Sequence, residues 1–217
     1  MKKVFVAIAV LSSIFFLVSC DKNQTGAPVV LGTVTVKDLQ ADTILGVYTS
    51  GPATGQPYGS GKFTFYSLEK NQVVDNADSA TNKWDLGFRG TTIITNSGTS
   101  GPASGGAYMF VGTFGDVSQV SADSSFRIDN GSAALAIRSG SGNGWYSYNG
   151  ATQIVTPIPG RVFVVRTATG KYAKIEILNY YKGGVTVPGT ASDEEKLKKQ
   201  RYYTFRYVYQ SNGSTKF

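Results

Sequence analysis

The chain has 217 residues, with 26 Gly, 13 Tyr and 12 Phe, a net charge of +7, no histidine and a single cysteine, Cys20. The absence of histidine removes the commonest general base and metal ligand, and one cysteine excludes intramolecular disulfides, CxxC redox sites and zinc–thiolate centres. The charge excess is modest and scattered, and its one basic block, Lys196-Leu197-Lys198-Lys199-Gln200-Arg201, follows directly on Asp193-Glu194-Glu195, so nucleic acid is not an expected partner.

Lys2 and Lys3 precede an apolar run over residues 4–18, which ends in Leu17-Val18-Ser19-Cys20. That run falls short of the ~20 apolar residues a transmembrane helix needs. It resembles a bacterial lipoprotein signal, whose cysteine is lipidated and becomes the mature N-terminus. The expected organisation is therefore a signal peptide over residues 1–20 with Cys20 as the lipidation site, a small polar linker over residues 21–31, and one β domain over residues 32–217. An acylated Cys20 leaves no thiol for nucleophilic chemistry.

From residue 32 onward the pattern is one of strands and turns. Val34 and Val36 alternate with Thr33, Thr35 and Lys37, predicting a strand over residues 32–39, whereas residues 41–45 are ambiguous. Residues 50–61 read as a Gly/Pro loop. Its Ser50-Gly51-Pro52-Ala53-Thr54-Gly55 echoes Ser100-Gly101-Pro102-Ala103-Ser104-Gly105, a coincidence that turn chemistry explains. Residues 62–68 and 72–74 form a hairpin around Glu69-Lys70-Asn71. In Lys83-Trp84-Asp85-Leu86-Gly87-Phe88-Arg89 the period of two puts Trp84, Leu86 and Phe88 on one buried face, and after Gly90 the β-branched Thr91-Thr92-Ile93-Ile94-Thr95 makes a second strand. Residues 96–106 are too polar and too punctuated to pack as core and read as a long flexible loop; residues 107–111 resume as a strand that carries Met109.

A short apolar strand is expected over residues 133–138, then a Gly/Ser loop over residues 139–144. Asn149-Gly150, between the strand patterns of residues 145–148 and 151–155, predicts a two-residue hairpin turn. Strands over residues 161–166 and 172–181 follow, the second with Ala173, Ile175 and Ile177 facing in and Lys174 and Glu176 facing out. Ser192, with Glu195 three residues on, caps a short exposed helix whose one large apolar residue is Leu197. The last strand, over residues 202–210, sets Tyr203, Phe205, Tyr207 and Tyr209 on one side. The expected fold is all-β: a single domain of about a dozen strands, mostly an antiparallel meander of hairpins, with long Gly/Ser loops and at most one short helix.

Little in this sequence supports catalysis. Asp75, Asp78, Asp85, Asp116, Asp123, Asp129 and Glu176 would supply carboxylate pairs of glycosidase type, but no spacing singles one out. Gly140-Ser141-Gly142-Asn143-Gly144 looks like a phosphate loop, yet a Trp/Tyr strand follows where a helix N-terminus is needed. A binding protein is expected rather than an enzyme. Met109 is the one soft side chain available to a metal or cofactor, and between Tyr108 and Phe110 it reads either as a ligand or as a core gap-filler. A different class of reading makes Trp145, Tyr146 and Tyr148 a stacking platform for a surface glycan, and a third makes the domain an adhesive β-module.

The lipoprotein-type leader, the run Lys83-Trp84-Asp85-Leu86-Gly87-Phe88-Arg89-Gly90-Thr91-Thr92-Ile93 and the strand start Pro157-Ile158-Pro159-Gly160-Arg161-Val162 together resemble the HmuY-like haem-binding lipoproteins. The resemblance implies an all-β, lipid-anchored protein at the outer membrane, with an expected position on the cell surface. It also implies capture of haem and its transfer to a TonB-dependent outer-membrane receptor. Family members grip the iron with two histidines or two methionines. Here the histidine pair is impossible and, once Met1 leaves with the signal, Met109 is the one methionine. The resemblance makes Met109 the candidate axial ligand. Tyr146, Tyr148 and Gln153, on the following hairpin, are candidates for a second contact, and a tyrosine oxygen is an established haem ligand. A five-coordinate iron or an iron-free porphyrin would also suit this reduced set.

Overall fold

The computed structural model describes residues 31–42 and 44–217, and the leader, Cys20 and the linker up to residue 30 lie outside the described residues. Residues Leu31–Phe217 form one compact unit. Thirteen strands run in chain order as β1 Val34–Gln40, β2 Ile44–Val47, β3 Pro57–Gly59, β4 Thr64–Ser67, β5 Gln72–Val74, β6 Leu86–Arg89, β7 Thr92–Thr95, β8 Gly106–Val111, β9 Tyr146–Asn149, β10 Ile154–Pro157, β11 Arg161–Arg166, β12 Tyr172–Tyr181 and β13 Gln200–Gln210. One short helix, α1 Asp193–Lys199, precedes β13. The fold is all-β.

The strands form a five-stranded sheet in the order β1-β13-β12-β11-β8, a four-stranded sheet in the order β5-β4-β6-β7, and the separate hairpins β2–β3 and β9–β10. Pairing is antiparallel throughout. Hairpin neighbours follow the chain in β4–β5, β6–β7, β9–β10 and β11–β12. The meander breaks at β1–β13, which joins the two ends of the domain, and at β8–β11, where a long excursion carrying β9–β10 intervenes.

Aromatic side chains join the sheets. Tyr203, Phe205 and Tyr207 of β13 project toward the four-stranded sheet, where Phe88 stacks on Phe205 with ring centroids 5.5 Å apart and Tyr66 meets Phe205 edge-on at 5.6 Å. Trp145, Tyr180 and Tyr203 extend this cluster toward β9–β10. The opposite face of the large sheet is covered as well. Val162, Val164 and Val208 pack there against Phe114 and Val117, and Leu31 joins that cluster. Burial on both faces corrects the outward placement of Lys174. Its side chain is buried and its Nζ donates to the carbonyls of Phe114 (3.0 Å) and Val117 (2.8 Å). A long stem buries well along apolar surface when its charged head finds fixed acceptors.

Several local expectations are corrected too. Residues 133–138 make no ladder; Leu135, Ala136 and Ile137 are buried as irregular chain, and the Ala136 N–H goes to Asp129 Oδ1 at 2.7 Å instead of to a neighbouring strand. The loop over residues 50–61 contains β3, and the ambiguous residues before it lead into β2. Asn149 pairs with Ile154, so residues 150–153 make a four-residue connection in place of the two-residue turn. The Asn149 side chain accepts from the N–H groups of Ala151 and Thr152, an Asx-type closure that supplants the Asn-Gly turn. The loop over residues 96–106 is not free of the core, because Asn96 and Ser97 are fully buried. Asn96 Nδ2 donates to the carbonyls of Thr81 and Trp84, and its Oδ1 accepts from Ala103 N, so one amide holds the loop closed.

Candidate functional site

Met109 lies in the middle of β8, at the edge of the five-stranded sheet, directly opposite Phe163 of β11. Facing partners in a ladder share a side of the sheet, so Met109 points to the same side as the buried Phe163, where cover thins out toward the sheet edge. The side chain is 39% exposed, more than a core gap-filler requires. It lines a cleft of about 310 Å³ together with Tyr108, Arg127, Ala136, Arg138, Asn143 and Phe163. Val111, two residues along and therefore on the same side of β8, is 73% exposed.

The charges of this cleft are of one sign. Arg127 donates weakly to the Leu135 carbonyl at 3.4 Å. Among the described residues, neither Arg127 nor Arg138 forms an ion pair, and no carboxylate lines the cleft. Two guanidiniums at the rim of an apolar floor suit a ligand with an apolar body and carboxylate groups, since arginine presents paired donors that match a carboxylate.

Tyr146, Tyr148 and Gln153 line a second cleft, of about 450 Å³, with Gln56, Val155 and the start of α1 among its other walls. The Gly/Ser loop over residues 139–144 stands between the two clefts, Asn143 facing the first and Ser141 the second. The three hairpin candidates thus come together, and Met109 lies apart from them. Tyr146 is buried, and its hydroxyl accepts from Thr91 Oγ1 at 3.2 Å. Tyr148 is 47% exposed, and its backbone N–H is held by Ser141 Oγ at 2.8 Å. Gln153 is exposed and adopts a left-handed backbone, φ 58°. The expected platform of Trp145, Tyr146 and Tyr148 does not form: Trp145 is buried, with its Nε1 donating to the Thr91 carbonyl, and Tyr148 alone of the three faces solvent.

Sequence reasoning missed both arginines of the cleft: Arg127 stands in a stretch with no periodic pattern to mark it, and Arg138 closes the strand expected over residues 133–138, which the structure leaves as irregular chain. The carboxylates considered for catalysis serve the scaffold where they are buried. Asp85 accepts from the N–H groups of Leu68 and Ala168, and burial pushes its pKa above the ordinary value. Asp129 accepts from Thr95 and Ala136. Asp116 is exposed, and hydrogen bonds from Thr113 hold its pKa below the ordinary value. No group of three or more His, Cys, Asp or Glu side chains that could hold a metal ion occurs among the described residues.

Solved structures of similar shape include a candidate lipoprotein of Bacteroides fragilis (15% identity, TM-score 0.47, 82% of this chain and 90% of that one). A candidate HmuY-like haem-binding protein of Bacteroides vulgatus matches at 14% identity and TM-score 0.45, over 82% and 91% of the two chains. The apo HmuY analogue of Tannerella forsythia matches at 14% identity and TM-score 0.43, over 83% and 96%. No curated protein matches the sequence. The family model described as HmuY protein matches residues 60–207, from just before β4 into β13. With well over half its length matched by that model, this chain belongs to the HmuY family.

Proposed function

We propose that this is a lipid-anchored, non-catalytic protein that binds haem, or an iron-free porphyrin, in the cleft beside Met109. It delivers that ligand to a TonB-dependent receptor at the outer membrane. Family membership supports the ligand class, and the observation that carries the site is the half-exposed Met109 on an apolar floor rimmed by two unpaired arginines. Phe163 and Ala136 would supply apolar contacts to the macrocycle. Arg127 and Arg138 would take the propionates. A bound haem contributes a metal centre, and the Met109 thioether is a soft donor suited to ferrous iron. With Tyr146, Tyr148 and Gln153 in the other cleft, the reading gives the iron one protein ligand, Met109.

Titration of the purified protein with haemin should produce a sharp, saturable Soret band, and affinity should rise on reduction. Met109→Leu keeps volume and apolarity, so it should leave stability within about 1.5 kcal/mol of the parent while abolishing that redox preference. A variant with an unaltered reduced spectrum would make Met109 a packing residue and return the ligand question to Tyr146, Tyr148 and Gln153. If neither haemin nor protoporphyrin binds in either oxidation state, the proposed function is wrong.

A further inference from the structure

The hairpin β2–β3 holds two tyrosines that neither the core nor the Met109 cleft uses. Tyr48 is 47% exposed and Tyr58 38% exposed, with ring centroids 5.1 Å apart and planes tilted by 52°. Their arrangement follows from the backbone. Gly46 faces Tyr58 across the ladder, and a Cβ there would stand 2.7 Å from the Tyr58 hydroxyl, so the bare glycine lets that ring lie flat across the hairpin.

The base of the hairpin is fixed by a buried ion pair. Asp42 takes Ser60 Oγ on one oxygen at 2.6 Å and Arg201 Nη1 on the other at 3.3 Å, and Arg201 Nη2 reaches the Pro57 carbonyl. Both partners have side chains that are nearly covered, 6% and 12% exposed. A Cβ at Gly59 would strike the Asp42 carboxylate at 2.1 Å, so the pair passes through the space this glycine leaves. A two-stranded hairpin alone is marginal in water; this one is pinned at its base and displays two aromatic faces at its surface.

Those faces line a cleft of about 510 Å³ whose floor is the same Asp42–Arg201 pair. Thr91, Val155 and Gln200 are shared with the neighbouring cleft, so the two adjoin, and the second adds the exposed Tyr148 and the amides of Gln56 and Gln153. The composite groove combines tyrosine faces with polar groups (the Asp42 and Asp193 carboxylates, the Arg89 and Arg201 guanidiniums, the Lys196 ammonium and amides), with Pro57, Val155 and Leu197 between them. A flat apolar macrocycle gains little from such walls, because their polar groups would lose water without replacement partners. A pyranose ring suits them: its C–H face packs on an aromatic ring, and its equatorial hydroxyls meet the planar donors and acceptors. We propose that this groove is a second binding site, for a neutral oligosaccharide of several rings, with Tyr48 and Tyr58 as the primary stacking surface and Tyr148 as a distal one. Asp42 and Arg201 neutralise each other at the floor, and Arg89, which also lines the groove, is engaged by the Gly61 carbonyl and the Phe63 ring.

Calorimetric titration of the soluble domain with maltohexaose, cellohexaose, laminarihexaose and chitohexaose tests this. At least one should bind saturably, and Tyr58→Ala and Tyr48→Ala should each weaken it by about tenfold, the loss expected of one aromatic stacking surface. Gln56→Ala, a change on an exposed side chain outside the hairpin pair, should weaken the same sugar with the fold intact by thermal unfolding. Met109→Leu should leave sugar binding unchanged, and Tyr58→Ala should leave the haemin titration unchanged, so the two sites fail separately. Absence of binding by all four sugars, or binding that survives the double Tyr48→Ala/Tyr58→Ala substitution, overturns the proposal.

Discussion

Trp84 shows how a residue can be read correctly as core and wrongly as to which core. The period of two groups it with Leu86 and Phe88, and all three are fully buried. Yet β6 begins only at Leu86, and before it the chain turns, so Trp84 packs on the other side of the small sheet with Phe65, Val74, Ile94 and Leu135, its ring 4.4 Å from that of Phe65. Its Nε1 donates to the Ser79 carbonyl at 2.9 Å, which ties the preceding turn to the same cluster. Trp84→Ala should destabilise the domain by roughly 3–5 kcal/mol in chemical denaturation. A shift of under 1 kcal/mol would show that the neighbouring loop over residues 96–106, packed close through Gly101, collapses into the space. Asn96 carries the complementary lesson. A polar residue at the head of a Gly/Ser stretch looks solvated, but satisfying three backbone groups at once lets it be buried at no net loss of hydrogen bonding.

Among the elements, β12 departs most from its sequence pattern. Alternation along it is clean, Ala173, Ile175 and Ile177 against Lys174 and Glu176, and a sheet with one wet face would read the same way. The outward face of β12 is instead roofed by the chain around Phe114 and Val117, and Lys174 is the post that holds the roof. Burial lowers its pKa from the usual lysine value, and the nearby Arg206 adds to that effect. Lys174→Met would preserve the buried stem while leaving the carbonyls of Phe114 and Val117 without their donor. The expected result is a loss of about 1–3 kcal/mol, with faster amide exchange concentrated over residues 113–120. Unchanged exchange there would mean that Val162, Val164 and Val208 hold the roof without the ammonium. The hairpin β9–β10 departs for a local reason: the Asn149 side chain caps two successive N–H groups and widens the connection to four residues, which carries Gln153 into the left-handed region and out over the second cleft.

At the scale of the whole molecule, β1 pairs with β13, so the start and end of the domain are fastened to each other. On the proposal that Cys20 bears the lipid, Cys20→Ala should release the protein from the membrane fraction with its thermal unfolding unchanged. A variant that remains membrane-bound would place the tether elsewhere. Among the described residues no helix is long and apolar enough to cross a membrane. The loop over residues 139–144 stands between the two clefts, and the haem and sugar proposals assign them different chemistry because one sets the Met109 thioether on an apolar floor and the other is walled by tyrosines, amides and the Asp42–Arg201 pair.

The family, the all-β class, the helix cap at Ser192 and most strand positions were legible in the sequence, because each rests on local information: a period of two, a capping side chain, a short run such as Trp-Asp-Leu-Gly-Phe-Arg. Ser192 Oγ accepts from Glu195 N as that local pattern implies. Met109 was legible as a soft donor by elimination. Its place in a separate cleft from Tyr146, Tyr148 and Gln153 was not, since that depends on β8 pairing with β11 across an excursion of many residues. Arg127 and Arg138 reached the Met109 cleft, and Tyr48 and Tyr58 came together over Asp42 and Arg201, through the same kind of long-range closure. Which residues are apolar, bend or donate is a property of each residue and its neighbours in sequence. Which of them share a cleft is decided by the register and order of the sheets, and no local pattern encodes that.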